Sequence, residues 1–290
     1  MLRATKTCRG HEGTGWEIVR KTVLITAFGV IALFGSGAAH ADSVDDPGVL
    51  SGSDLAIIVG PTGIGDPNAT YIADADTLYL EPNGFSPNGI AEDLAYYQAS
   101  DNFGPSLATG QNDLTTVAVA DYYLGVFNAA HPLTLFCYSQ GAVICNNDEP
   151  TLIKDGIPSD AIKIVEIGDT SSAQTGWDGA PGPIDGFLDN TAAPGTLPAF
   201  VLDALGWGNL VGDTTPANDY DTYVYTLYGD MWADVTAPLC LLCHDAYLGL
   251  TPAEISSAVP VIDGLTTYFD IPALSTTALD NALLAAVGAL

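Results

Sequence analysis

The stretch His131–Asn147, "HPLTLFCYSQGAVICNN", restricts the fold more than any other part of the chain. From Pro132 to Tyr138 it is largely apolar on consecutive positions rather than on alternate ones. A strand of that kind is buried on both faces, as in a parallel sheet covered by helices. Ser139 stands where the strand must end. The small, helix-compatible residues Gly141, Ala142 and Val143 follow it. Strand, tight turn and helix in this order approach the nucleophile-elbow pattern G-x-S-x-G, in which a serine hydroxyl projects from a sharp turn. Gly141 fills the second glycine position, and Cys137 stands in the first.

The flanking segments repeat the same alternation. "LAIIV" (55–59) is a short buried strand that runs into the Gly-rich loop "GPTGIG". "DLTTVAVADYYLGVFNAA" (113–130) has helical spacing and an Asp at its start, so it is expected as a helix capped by Asp113. "AIKIVEIGD" (161–169) and the Tyr-, Thr- and Val-rich "DTYVYTLYGD" (221–230) are expected strands. "STTALDNALLAAVGAL" (275–290) is an expected C-terminal helix. Residues 170–220, rich in Gly, Pro, Asp and Thr, are expected as long loops around the strand ends. Short buried strands alternating with helices predict an α/β fold with a mostly parallel sheet.

Composition bounds the partners. Residues 1–41 carry five of the 7 Lys+Arg, then an apolar run ending in Ala39-His40-Ala41. This is the pattern of a secretory signal peptide, and it places the protein outside the cell or in its envelope. The other reading is a retained membrane anchor, since the run is about long enough to span a bilayer. Cleavage leaves a single domain over 42–290, Lys154 and Lys163 as its only Lys or Arg, and 33 of the 35 acids: a balance of −31. Such a surface repels phosphate backbones, which excludes nucleic acid as a partner and disfavours anionic membranes. Four cysteines remain, Cys137, Cys145, Cys240 and Cys243. Their even number in an exported chain predicts at least one disulfide, with the pairing open.

A nucleophilic serine needs a histidine to take its proton and a carboxylate to orient that histidine. His131 precedes the strand that leads to Ser139. It therefore belongs at the opposite end of that strand, in a turn or a cap. His244 lies late in the chain, and Asp230 and Asp234 in "YGDMWAD" fall between serine and histidine. The chain order Ser, acid, His is that of the α/β-hydrolases. Asp230, nearer the end of the Tyr-rich strand, is the expected acid and Asp234 the alternative, and either also suits a solvated turn. The same histidine closes "CLLCH", Cys240–Cys243–His244, which matches the C-x-x-C-H attachment motif for c-type haem. A secreted surface protein with a hydrolase fold and no activity is a third reading.

"CYSQGA", "IVEIGD", "YTLYGDMWAD" and "HDAYLGLTP" occur in an order and spacing that resemble the PE-PPE-domain serine hydrolases of mycobacteria, relatives of the cutinases within the α/β-hydrolase fold. "VGPTGIGDPNATYIADADTLYL" (59–80) resembles the opening block of that family. The resemblance spans roughly 55–250, with a signal peptide where the family's PE or PPE leader would stand. It departs from the pattern at Cys137 and at Tyr228-Gly229-Asp230-Met231, where members usually carry Tyr-Asp-Gly. It implies esterase activity on small-molecule or lipid acyl esters without metal or cofactor, with Ser139 as nucleophile, His244 as base and Asp230 as acid. The oxyanion donors expected for such an elbow are the backbone N–H of Gln140 and a donor from the "GPTGIG" loop, at Thr62 or Gly63.

Overall fold

The computed structural model describes residues 55–96, 103–176, 217–234, 236–238, 240 and 242–289. The expected signal peptide and most of the loops expected over 170–220 lie outside the described residues. Strands β1 (Leu55–Val59), β2 (Ile90–Asp93), β3 (Leu133–Tyr138), β4 (Ile162–Ile167), β5 (Asp221–Leu227), β6 (Val259–Asp263) and β7 (Thr266–Ile271) form one sheet in the order β2-β1-β3-β4-β5-β7-β6. All neighbours pair in parallel except β6 and β7, which form an antiparallel hairpin. This is the α/β-hydrolase fold expected from the sequence.

The consecutive apolar residues of the central strands are explained by two cores. Ile58, Phe136, Tyr138, Val165, Ile167, Tyr225 and Leu227 pack on one face with Tyr71 and Tyr79. Tyr71 lies on helix α1 (Ala69–Ala75), and Tyr79 in the π-helical turn after it. Ile57, Val59, Leu133, Leu135, Cys137, Ile162 and Ile164 pack on the other face. Helices α2 (Phe103–Leu124) and α3 (Gln140–Lys154) cover that second face with Leu114, Ala142, Val143 and Ile144.

The sheet order positions the site. From β1 the chain moves outward to β2, then returns to the other side of β1 as β3. The chain therefore leaves these two neighbouring strands in opposite directions along the sheet. Open α/β sheets hold their ligands at such switch points.

Some element boundaries differ from expectation. The helix expected over 113–130 begins ten residues earlier, at Phe103, and Asp113 lies within it rather than capping it. Polar side chains on both sides of Asp113 bond back along the helix. Thr109 Oγ1 donates to the Pro105 carbonyl, Asn112 Nδ2 to Ala108 and Thr116 Oγ1 to Asn112. The helix stops before Gly125, whose φ of 76° suits a residue without Cβ. β5 ends at Leu227, so Tyr228–Asp230 already turn away from the sheet. Helix α4 (Pro252–Ile255) precedes the β6–β7 hairpin, and helix α5 (Thr276–Ala286) closes the described chain, capped by the Ser275 hydroxyl. The hairpin, β2 and α1 have no counterpart in the sequence expectation.

Candidate active site

β3 delivers Ser139 and α3 starts immediately after it. The turn between them is tight enough to force Ser139 to φ 55° and ψ −113°. A positive φ on a non-glycine residue is a strained state that the surroundings must hold. Here the Ser139 N–H donates to the Ile167 carbonyl at the end of β4, while the Ser139 carbonyl accepts from Ala142 and Val143. The helix can leave at so sharp an angle because Gly141 has no side chain. A Cβ there would lie 2.2 Å from the Val59 carbonyl oxygen of β1. Cys137 does more than fit the first elbow position. It is joined to Cys145 of α3, so a disulfide ties strand to helix across the turn that holds the serine.

Asp230 and His244 come to the same end of the sheet from two later segments. After β5, Gly229 takes φ 85° and the chain folds over, burying Asp230 completely. The backbone of Asp230 then pairs with Cys240, and the Cys240 N–H donates to the Gly229 carbonyl. Cys240 is joined to Cys243, and His244 follows in a short 3-10 turn, Cys243–Asp245. The described chain thus holds two disulfides, where at least one was expected.

The three side chains meet in a line. Ser139 Oγ lies 2.8 Å from His244 Nε2, and His244 Nδ1 lies 2.8 Å and 3.0 Å from the two Asp230 oxygens. A carboxylate only accepts, so Nδ1 carries the proton and Nε2 is left to accept from the serine hydroxyl. Asp234, the alternative acid, faces elsewhere. Its Oδ2 accepts from the Gly229 N–H at 2.9 Å, and its Oδ1 accepts from the N–H and hydroxyl of Thr236. It braces the turn that presents Asp230. His131 sits at the far end of β3, in a turn with Asn128, whose side chain accepts from the Ala130 and His131 N–H groups.

The loop after β1 lies against the start of α3. Thr62 Oγ1 donates to Gln140 Oε1 at 3.2 Å. Gly63 has φ 86°, and a Cβ on it would meet nothing within 4 Å. The C-x-x-C-H motif is used differently from a haem attachment. Its two sulfurs are bonded to each other, and both ring nitrogens of His244 are engaged.

Sequence reasoning missed several neighbours of this line. Gly168, at the end of β4, has φ 58°, and a Cβ on it would lie 3.0 Å from His244 Cε1. The imidazole therefore occupies space that only glycine leaves open. The signal was a glycine directly after a strand, in "IVEIGD". Trp232 donates its N–H to Asp230 Oδ1 at 2.9 Å, and its indole lies 6.5 Å from the imidazole, edge to face. Tyr138 donates its hydroxyl to the His244 carbonyl, and Tyr79 donates its own to the Tyr247 carbonyl at 2.8 Å. No periodicity marks these tyrosines, because what gives them a role is where their hydroxyls end.

The model of the PE-PPE domain matches residues 81–272, 192 of the 290 residues. The chain belongs to the PE-PPE family. The match to the PE-PPE domain takes in the elbow, both aspartates and His244, and starts after β1 and its glycine loop. No curated protein matches the sequence. Solved structures resemble this PE-PPE chain remotely. An iodinated complex of acetyl xylan esterase is 14% identical over 70% of this chain and 93% of its own, with a TM-score of 0.40. An α/β serine hydrolase without lid from Xanthomonas campestris is 13% identical over 84% and 82%, with a TM-score of 0.39. A lipase-esterase related protein from Clostridium acetobutylicum is 12% identical over 83% and 93%, with a TM-score of 0.38.

Proposed function

We propose that this protein is a secreted serine esterase that hydrolyses neutral acyl esters through Ser139, His244 and Asp230. The carrying observation is the unbroken line of short contacts from Ser139 Oγ through the imidazole to Asp230. His244 Nε2 takes the serine proton as Oγ attacks the ester carbonyl. Asp230 stabilises the imidazolium that results and holds its tautomer. The tetrahedral oxyanion is received by the Gln140 N–H and by a donor of the loop at Thr62 or Gly63, which lies against that helix start. Imidazolium then returns its proton to the leaving alcohol. Water, activated by the same nitrogen, attacks the acyl-enzyme and releases the acid.

The expected balance of −31 over 42–290 favours uncharged esters over phosphorylated or anionic ones. The N-terminal pattern ending at Ala41 supports export, with a mature chain starting at Asp42. One experiment tests both statements. Exported protein is treated with a fluorophosphonate probe, and its intact mass and peptide map are measured. The expected result is a chain starting at Asp42 with one probe on Ser139, together with loss of labelling and of p-nitrophenyl ester turnover in Ser139→Ala. A chain that retains Met1 overturns cleavage. A labelled and active Ser139→Ala protein overturns the mechanism.

A further inference from the structure

Resting on the triad proposed above, the geometry points to Tyr247 as a positioning residue for Asp230, whose phenol hydroxyl sets the proton affinity of the Asp230–His244 pair. Tyr247 lies three residues past His244, in the 3-10 turn Tyr247–Gly249, and is completely buried. Its hydroxyl lies 2.8 Å from Asp230 Oδ2, the same oxygen that lies 2.8 Å from His244 Nδ1.

The direction of that hydroxyl is fixed. A phenol has one proton to give and can accept at its oxygen. The Leu227 N–H, at the end of β5, donates to the Tyr247 oxygen at 2.9 Å. With that lone pair taken by the strand, the phenol proton is left for the carboxylate. Burial and the charge of Asp230 both push the Tyr247 pKa up, so the phenol stays a donor at every pH at which the enzyme would work.

Among the described residues Asp230 thus has three donors, divided between its oxygens. Oδ1 accepts from the Trp232 N–H, Oδ2 accepts from Tyr247, and His244 Nδ1 approaches both. The carboxylate is fully buried. A buried carboxylate keeps its charge when hydrogen-bond donors take the place of water. The Trp232 donor belongs to the backbone, so among the described residues Tyr247 is the side-chain donor, besides His244 itself, that a substitution can remove. Its turn is held from elsewhere, since its carbonyl accepts from Tyr79 and its ring lies edge-on to Tyr138.

Loss of the phenol proton would concentrate negative charge on Oδ2 and raise the proton affinity of the Asp230–His244 pair. The acidic limb of the kcat/KM profile reports the protonation of that pair. In Tyr247→Phe it moves to higher pH, by about half a unit to one unit. At neutral pH that shift lowers kcat by about two- to threefold, with KM nearly unchanged. Tyr79→Phe is the control. It removes a hydrogen bond from the same turn without touching Asp230, so its limb stays at the wild-type position.

The measurement is the pH dependence of p-nitrophenyl ester hydrolysis by wild type and both variants, with circular dichroism of each. A folded Tyr247→Phe protein with a wild-type limb overturns the assignment, as does an equal shift in Tyr79→Phe. If Tyr247→Phe is recovered unfolded, Tyr247→3-fluorotyrosine replaces it. The more acidic phenol donates more strongly and moves the limb to lower pH, and an unmoved limb overturns the assignment. Absence of turnover in the wild type overturns the esterase reading itself, which separates the two failures.

Discussion

Ser139 holds a backbone conformation that costs on the order of 1–3 kcal/mol for a residue with a side chain. The cost is met by its neighbours, through the hydrogen bond to Ile167 and the helix that starts on its carbonyl. Asp230 shows the same dependence on surroundings. In the sequence it is one of two aspartates four residues apart, preferred as the acid only because it lies nearer the end of the Tyr-rich strand. In the structure the two differ in what faces them: His244 and Tyr247 at Asp230, and the Gly229 N–H and Thr236 at Asp234. Asp230→Asn should therefore cut kcat by about 10⁴, since the amide holds the wrong imidazole tautomer. Asp234→Asn should cost stability through the Gly229 turn and reduce kcat far less. Steady-state kinetics and thermal unfolding of the two variants check this, and the reverse ranking of kcat would assign the acid to Asp234.

At the scale of the element, the elbow is a joint between β3, α3 and the end of β1. Gly141 lets the helix approach the Val59 and Gly60 carbonyls, and the Cys137–Cys145 bond fixes the helix to its strand. Gly141→Ala should force this joint apart. Overpacking of this kind costs roughly 1–3 kcal/mol. Urea unfolding should show that loss, and ester turnover should fall further than stability, because the displaced helix start carries the Gln140 N–H. A variant of wild-type stability and full activity would show that the joint has slack. The elbow was legible in the sequence because its steric demand falls on adjacent residues. The start of α2 was not, because Asp113 reads as an N-cap in the sequence, while Thr109, Asn112 and Thr116 bond back along one continuous helix that begins at Phe103. The β6–β7 hairpin was also missed. β6 is exposed along its whole length, so it carries no buried face for a pattern to reveal.

For the whole molecule, the excess of acids reaches into the interior. Glu149 and Asp148, adjacent on α3, are both buried. Burial is the main cause that raises the Glu149 carboxyl to about 8, with the charge of Asp219 adding to it. Burial likewise raises Asp148 to about 6, against the hydrogen bond that Thr115 donates to it. Both pKa values are raised above the unfolded range of about 4, so the folded state keeps these protons longer than the unfolded chain does. Their contribution to stability is complete below that range and is lost as pH rises through about 6 and then about 8. Tm should peak in mild acid and fall by roughly 5–10 °C between about pH 5 and pH 9. Glu149→Gln should flatten the upper part of that decline. Scanning calorimetry across this range decides it, and a Tm that rises toward pH 9 would contradict it.

The sequence by itself determined the fold class, because burial on both faces writes consecutive apolar residues into each central strand. It determined the elbow, because a serine between a buried strand and a helix needs a small residue at Gly141. It narrowed the acid to two aspartates and the base to a histidine late in the chain. Only the tertiary structure decided which aspartate faces His244, that Cys137 pairs with Cys145 and Cys240 with Cys243, and that Gly168 and Tyr247 border the imidazole and its carboxylate. The disulfides are local, with sequence separations of 8 and 3, but the other contacts join segments that meet at the carboxyl ends of β3, β4 and β5. Local pattern records what each segment buries, while the partner of a side-chain atom depends on where the sheet brings its loops together.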